Sequence, residues 1–387
     1  MKVWFSVCLV IALAFNLATC QVDSAYVYAV SSVDANSEGI VLYHLNLTTG
    51  ELSKIRGTTG LPYPSYLAID KKHKYLYSVN EDETGGVVYA YSIDQSTGNL
   101  KYLNQQYSNG GPVYVFLDHT NQVLLTANYG AGSVMSFPID TKTGKIGPVA
   151  SVNQHHGKSV NPDRQEGPHA HFVMMDPTNV FAMSVDLGTD QVWSCTLNPT
   201  NGQIIPAPNP IAYTATPGAG PRHLIFHPNG KFVYIIHELG NIIVAASYDS
   251  TSGLFTDLQT ISTLPKDFQG ESFAAAINIL PNGKFLYGSN RGDDSNNIVV
   301  FKVDQDTGFL TLIQHISVEG NYPRDFTIDP TGQVLLVGNE KSGNVTTFLI
   351  NLDTGLLTYS GHSVDLPAPQ CLKVIQKFST QGDLITI

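Results

Sequence analysis

Only five arginines occur in the 387 residues: Arg56, Arg164, Arg222, Arg291 and Arg324. Three of them lie in short motifs rich in polar groups, Pro221-Arg222-His223, Ser289-Asn290-Arg291 and Pro323-Arg324-Asp325. A guanidinium presents a planar fork of donors that matches a carboxylate or phosphate. The side chains that move protons near neutral pH, or stay anionic there, recur in comparable motifs: His169-Ala170-His171, His237-Glu238, Glu81 and Glu340. Arginine with histidine and glutamate is the equipment for holding a small anion and transferring a proton on it.

Other chemistries have less support. Gly-x-Ser-x-Gly, the usual serine-hydrolase turn, is absent. Gly218-Ala219-Gly220 precedes a strand pattern and not a helix, so it is no phosphate loop. His155-His156 together with His169 and His171 could be imagined around a metal, but the spacing matches no zinc pattern. Neither a metal nor another cofactor is expected.

What positions these groups is a repeat. A turn ending in glycine recurs at Thr49-Gly50, Thr97-Gly98, Thr143-Gly144, Asn201-Gly202, Ser252-Gly253, Thr307-Gly308 and Thr354-Gly355, at intervals of 46 to 58 residues. Between these turns lie short apolar or alternating runs. One unit predicts strands at Arg222–Phe226, Lys231–His237, Asn241–Tyr248 and Leu254–Gln259. No helical period is sustained over twelve residues. Four strands in each of seven units predict an all-β, seven-bladed β-propeller. The first unit starts at what is elsewhere a second strand, so the tail from Pro369 is expected to close the ring by supplying its inner strand.

Inner strands surround a propeller's channel, and antiparallel pairing puts the start of each beside the end of the next strand. Aligning the repeats gives one ring of Ser65, Val113, His171, Arg222, Ala275, Arg324 and Gln370. A second ring holds Ser31-Ser32, Asn80-Glu81, Asn128-Tyr129, Asp186-Leu187, His237-Glu238, Asn290-Arg291 and Asn339-Glu340. Both should share one mouth of the channel. The insertion from Gln154 to Gly167 is expected to overhang that mouth or to move as a free loop.

These motifs resemble the lactonase family of seven-bladed propellers. The likeness is carried by Gly167-Pro168-His169-Ala170-His171, Asp186-Leu187-Gly188-Thr189-Asp190, Gly220-Pro221-Arg222-His223, His237-Glu238-Leu239, Ser289-Asn290-Arg291-Gly292 and Pro323-Arg324-Asp325-Phe326, and it spans nearly the whole chain after residue 20. The family includes bacterial 6-phosphogluconolactonases and the fungal 3-carboxy-cis,cis-muconate lactonizing enzyme. The resemblance implies a site of His171, Arg222, Glu238 and Arg291, with Arg222 and Arg291 on the substrate anion and His171 or Glu238 as acid or base. Arg324, His169, His237, Asn128 and Glu340 are expected around the substrate. Lactone hydrolysis and cycloisomerisation both fit, and so does a non-catalytic adhesion or binding protein. An accessible Arg-His-Glu group would mark the enzyme; a mouth covered by residues 154–167 would mark the scaffold.

Lys2 followed by the apolar stretch Val7–Leu17 and Ala18-Thr19-Cys20 reads as a signal peptide over residues 1–20, leaving one domain over 21–387. The stretch is shorter than the roughly 20 residues a membrane-spanning helix needs. A secreted address, free or wall-associated, is expected, and it gives meaning to the glycosylation sequons at Asn46 and Asn344. It also weakens a phosphorylated sugar lactone as substrate. A net charge of −11 disfavours nucleic acid. The expected partner is a small anionic substrate, and the chain is expected to be a monomer. Cys195 and Cys371 fall in different units and are expected to be separate buried thiols.

Overall fold

A computed structural model of the chain describes residues 23–81 and 85–376. They form seven antiparallel sheets of four strands each. The first strands of neighbouring sheets touch one another all the way round, so they line a central channel and the sheets radiate as blades. Blade 1 is completed by the tail: Pro369–Gln376 pairs antiparallel with Ser24–Ser31. The sampled unit, blade 5, has strands Pro221–Phe226, Phe232–His237, Ile242–Asp249 and Leu254–Ser262, within a few residues of the expected bounds. The expected signal peptide lies outside the described residues.

Burial explains the strand patterns. The second strands of blades 3 and 4, Val123–Asn128 and Phe181–Asp186, are buried along their whole length, because both faces pack on neighbouring blades. Outermost strands such as Leu100–Tyr107 are the free edges, and there exposed residues are interspersed with half-buried ones.

The seven turn glycines have φ between 70° and 78°. A side chain would strain that conformation, and at Gly144, Gly253, Gly308 and Gly355 it would also meet an aromatic ring: a Cβ on Gly144 would lie 2.1 Å from Tyr75, and one on Gly355 2.3 Å from Phe285. The approach is close because the turn of one blade is latched by the blade before it. Tyr28, Tyr77, Tyr234 and Tyr287 donate their hydroxyls to the carbonyls of Gly98, Gly144, Gly308 and Gly355 at 2.8–3.1 Å. At the seam between blades 7 and 1, Thr347 performs the same task on Gly50.

Each inner strand is irregular at one place. Register shifts fall between Pro64 and Tyr66, Pro112 and Tyr114, Ala170 and Phe172, Pro221 and His223, Ala274 and Ile277, and Pro323 and Asp325. In blade 1 the shift leaves out Gln370. In blade 6 two residues are skipped by the ladder, Ala275 of the first ring and Ala276. In the other six blades the one residue skipped is the one that alignment assigns to that ring. A bulge turns its side chain out of the sheet's alternation.

Cys195 and Cys371 are free and buried. Asn46 and Asn344 stand at strand ends. Asn46 Oδ1 accepts from the backbone N–H groups of Thr48 and Thr49, and Asn344 Nδ2 donates to the Glu319 carbonyl and to Ser363 Oγ.

Candidate active site at the channel mouth

Glu238 follows the second strand of blade 5, and its backbone fixes it between two blades. Its N–H donates to Gly220 and its carbonyl accepts from Ala274 of blade 6. Three guanidinium groups converge on its buried carboxylate. Arg164 Nη2 lies 2.7 Å from Oε1, and Arg291 Nη2 and Arg222 Nε each lie 3.0 Å from Oε2. The Arg222 contact is an ion pair without hydrogen-bond geometry; that side chain donates through Nη1 to the Ala275 carbonyl at 2.8 Å. Burial by itself would raise the Glu238 carboxyl, but Arg291, Arg222 and Arg164 outweigh it and hold the group at about 2. Burial and the Arg291 cation push Arg222 down to about 9, so it remains charged at neutral pH.

His171 lines a small cavity of ≈ 10 Å³, about the room of one water molecule, together with Ser65, Val113, Arg222, Arg324 and Gln370. Six of the seven bulged residues therefore meet in one space. Burial, followed by the nearby Arg222 cation, lowers the His171 imidazole well below 6.5, so it is neutral at pH 7. Its Nδ1 is buried and has no hydrogen-bond partner. A neutral ring nitrogen with nothing to bind, beside an arginine in a cavity, is equipped to take a proton from water.

Across the mouth Arg324 sits between two carboxylates, 3.1 Å from Glu81 Oε2 and 3.8 Å from Glu340 Oε2. His169 lies near the first cluster without joining it. Its ring stacks on Tyr129 at 4.4 Å, and its Nε2 pairs with Glu166 at 2.9 Å. Among the described residues no group of three or more His, Cys, Asp or Glu could hold a metal ion.

Two expected ligand contacts are not available. Asn128 is buried inside blade 3, where its carbonyl oxygen accepts from Ser108 and its amide donates to Ser133. His237 is buried with its ring 6.1 Å from Tyr213 of blade 4. Burial depresses His237 to about 4. Both are the first residue of their pair at a strand end, where alternation points one side chain into the blade interface and the next towards the mouth. Tyr129 and Glu238 are those next residues. The role expected of Glu238 changes as well: at about 2 its carboxyl stays ionised and cannot exchange protons near pH 7.

Alignment of the repeats missed Arg164, because it belongs to the insertion and has no counterpart in other blades. Its rarity was the available signal, since it is one of five arginines in the chain. The insertion does overhang the mouth, and the Arg-His-Glu group beneath is buried instead of open. Asp325 and Lys373 were also missed. Lys373 lies 3.3 Å from the Tyr66 hydroxyl. Asp325 lines the cavity.

Known proteins share this arrangement of blades. The chain is 37% identical over 351 residues to the 6-phosphogluconolactonase of Bacillus subtilis, covering 90% of this chain and 98% of that one. It is 33% identical to the 6-phosphogluconolactonase of Formosa agariphila over 82% of this chain and 90% of the relative. The solved periplasmic gluconolactonase of Pseudomonas aeruginosa superposes with a TM-score of 0.86 at 30% identity, covering 92% and 99% of the two chains. The family model described as "Lactonase, 7-bladed beta-propeller" matches residues 26–374. With a match of that extent, the chain belongs to the lactonase family of seven-bladed β-propellers.

Proposed function

We propose that the protein hydrolyses a small anionic, sugar-derived lactone at this mouth. The observation that carries the reading is the unpartnered Nδ1 of a neutral His171, a residue that lines a cavity with Arg222 and Arg324. In the tautomer protonated at Nε2, His171 takes a proton at Nδ1 from water as the water oxygen bonds to the lactone carbonyl carbon. Arg222, buried and cationic, stabilises the oxyanion that forms. When the bond from the carbonyl carbon to the ring oxygen breaks, the departing alkoxide takes the proton from His171. The product is a hydroxy acid, which ionises and releases one proton to solvent. Glu238 is a positioning residue here: it keeps Arg222 and Arg291 paired and oriented.

Hydrolysis is preferred to cycloisomerisation because the relatives described above carry lactonase names. A pH-stat assay of the purified protein with glucono- and 6-phosphogluconolactones tests it directly. Proton release that falls with His171→Gln is the expected result. A second reading, a binding protein without catalysis, draws on the burial of the four residues beneath the 154–167 insertion. It would be favoured if no lactone releases protons while their hydroxy acids still raise the melting temperature.

We also propose that the protein acts outside the cell with its mature chain starting at Gln21. Lys2 and the apolar run Val7–Leu17 support this. N-terminal sequencing of protein recovered from the medium would test it, and an intact Met1 would refute it.

A further inference from the structure

We infer that Arg164 sorts anionic from neutral lactones, closing the mouth on Glu238 and yielding only to an anion on the substrate; this role rests on the lactonase reading above.

The segment carrying Arg164 is held in place on both sides. His155 Nδ1 lies 2.7 Å from Asp186 Oδ2, and its ring stacks on Trp193 at 4.6 Å. Downstream, Gln165 donates to the Leu187 carbonyl at 2.9 Å and Glu166 pairs with His169 at 2.9 Å. Asn161 accepts from the Arg164 N–H at 3.1 Å, which shapes the turn. The backbone is therefore a fixed strap, from which the Arg164 side chain reaches Glu238.

The three cations on Glu238 are not equivalent. Arg222 is additionally held by Ala275, and Arg291 lies over the Tyr322 ring at 5.0 Å. Both are buried. Arg164 is 36% exposed against 3% for Glu238, so it is the solvent-facing end of the network. It can leave and go into water while Glu238 keeps two partners; neither of the others can do so without stranding a buried charge.

Leaving has consequences for the substrate. A lactone with a phosphate or carboxylate gives the displaced guanidinium a replacement of the same geometry. A neutral lactone has to break the Arg164–Glu238 pair and offers nothing in return. One side chain thus supplies both attraction for the correct ligand and a penalty against its neutral analogue.

The test compares kcat/KM for 6-phosphoglucono-δ-lactone with that for glucono-δ-lactone. Arg164→Gln should lower the ratio by about tenfold or more, since a charge-assisted pair is removed from one substrate and a barrier from the other. The change should appear as a higher KM for the phosphorylated lactone and a lower KM for the neutral one. Arg164→Lys should fall between. Lys158→Gln removes an exposed cation from the same strap and should leave the ratio unchanged. An unchanged ratio in Arg164→Gln, or an equal fall in Lys158→Gln, overturns the inference. If wild-type protein hydrolyses neither lactone, the lactonase reading fails by itself. Calorimetric titration with 6-phosphogluconate and gluconate then decides the role of Arg164. Loss of the preference for the phosphorylated acid in Arg164→Gln supports it, and an unaltered preference refutes it.

Discussion

The mouth carries two charged clusters with inverted composition. Around Glu238 one carboxylate serves three guanidinium groups; around Arg324 one guanidinium serves two carboxylates. The first is buried at its centre, with Glu238 3% exposed and Arg222 2%. The second is wet, with Glu81 42% and Glu340 25% exposed. Burial raises the stakes of each charge, because attraction and desolvation both grow as water is excluded. The Glu238 cluster, with more cations than anions, is suited to receive an anion. The Arg324 cluster is already over-supplied with carboxylates and is suited to line the rim.

The largest effect that would separate the two is on stability. Glu238→Gln leaves Arg222 and Arg291 buried without an anion and should cost about 3–5 kcal/mol in urea unfolding. A loss much smaller than this would mean that water reaches the arginines and the clusters are alike. In catalysis the contrast should turn on His171. His171→Gln should lower kcat by roughly 10²- to 10⁴-fold while the melting temperature stays close to wild type. Retained turnover would remove the proposed proton transfer.

A pH titration sharpens the same contrast. Glu238 titrates at about 2 in the folded protein against an ordinary 4.5, so between those values the unfolded chain binds more protons. The stability this provides is complete above pH 4.5 and is lost as the pH falls towards 2. His237 adds an earlier loss. It is held neutral at about 4 against an ordinary 6.5, and unfolding allows it to protonate in that window. Urea midpoints should therefore begin to fall below pH 6.5 and fall further below 4.5, with the second decline reduced in Glu238→Gln. An identical decline in that variant would dissociate it from Glu238.

The smallest effect belongs to the rim. Arg324→Gln removes pairs whose carboxylates are substantially exposed and should cost less than about 1 kcal/mol of stability. A loss as large as that of Glu238→Gln would abolish the distinction between the clusters.

Much of this was legible in the chain because a propeller repeats. Turn glycines at near-regular intervals define the blades, and aligned positions define the rings, so the sequence alone gathers His171, Arg222, Glu238, Arg291 and Arg324. Asn128 and His237 were gathered with them wrongly. Each is one residue away from a side chain that does face the mouth, and a period-two strand sends neighbours to opposite sides. Strand alternation alone would also misplace Arg222 and Arg324, since a bulge, not the regular pleat, aims them into the channel.

By itself, the sequence determined the seven-bladed ring, its closure by the tail and the set of ionisable groups at one end. Those features are local or repetitive, and each is written in short-range patterns of glycine and apolar residues. Only the tertiary structure decided that Arg164, 74 residues away in the chain, completes the Glu238 cluster. It also decided that the carboxylate is locked in its ionised form and that His171 is left neutral and unpaired. The reason is physical: ionisation and pairing depend on burial and on distances between charges from different blades, and neither exists until the ring has closed.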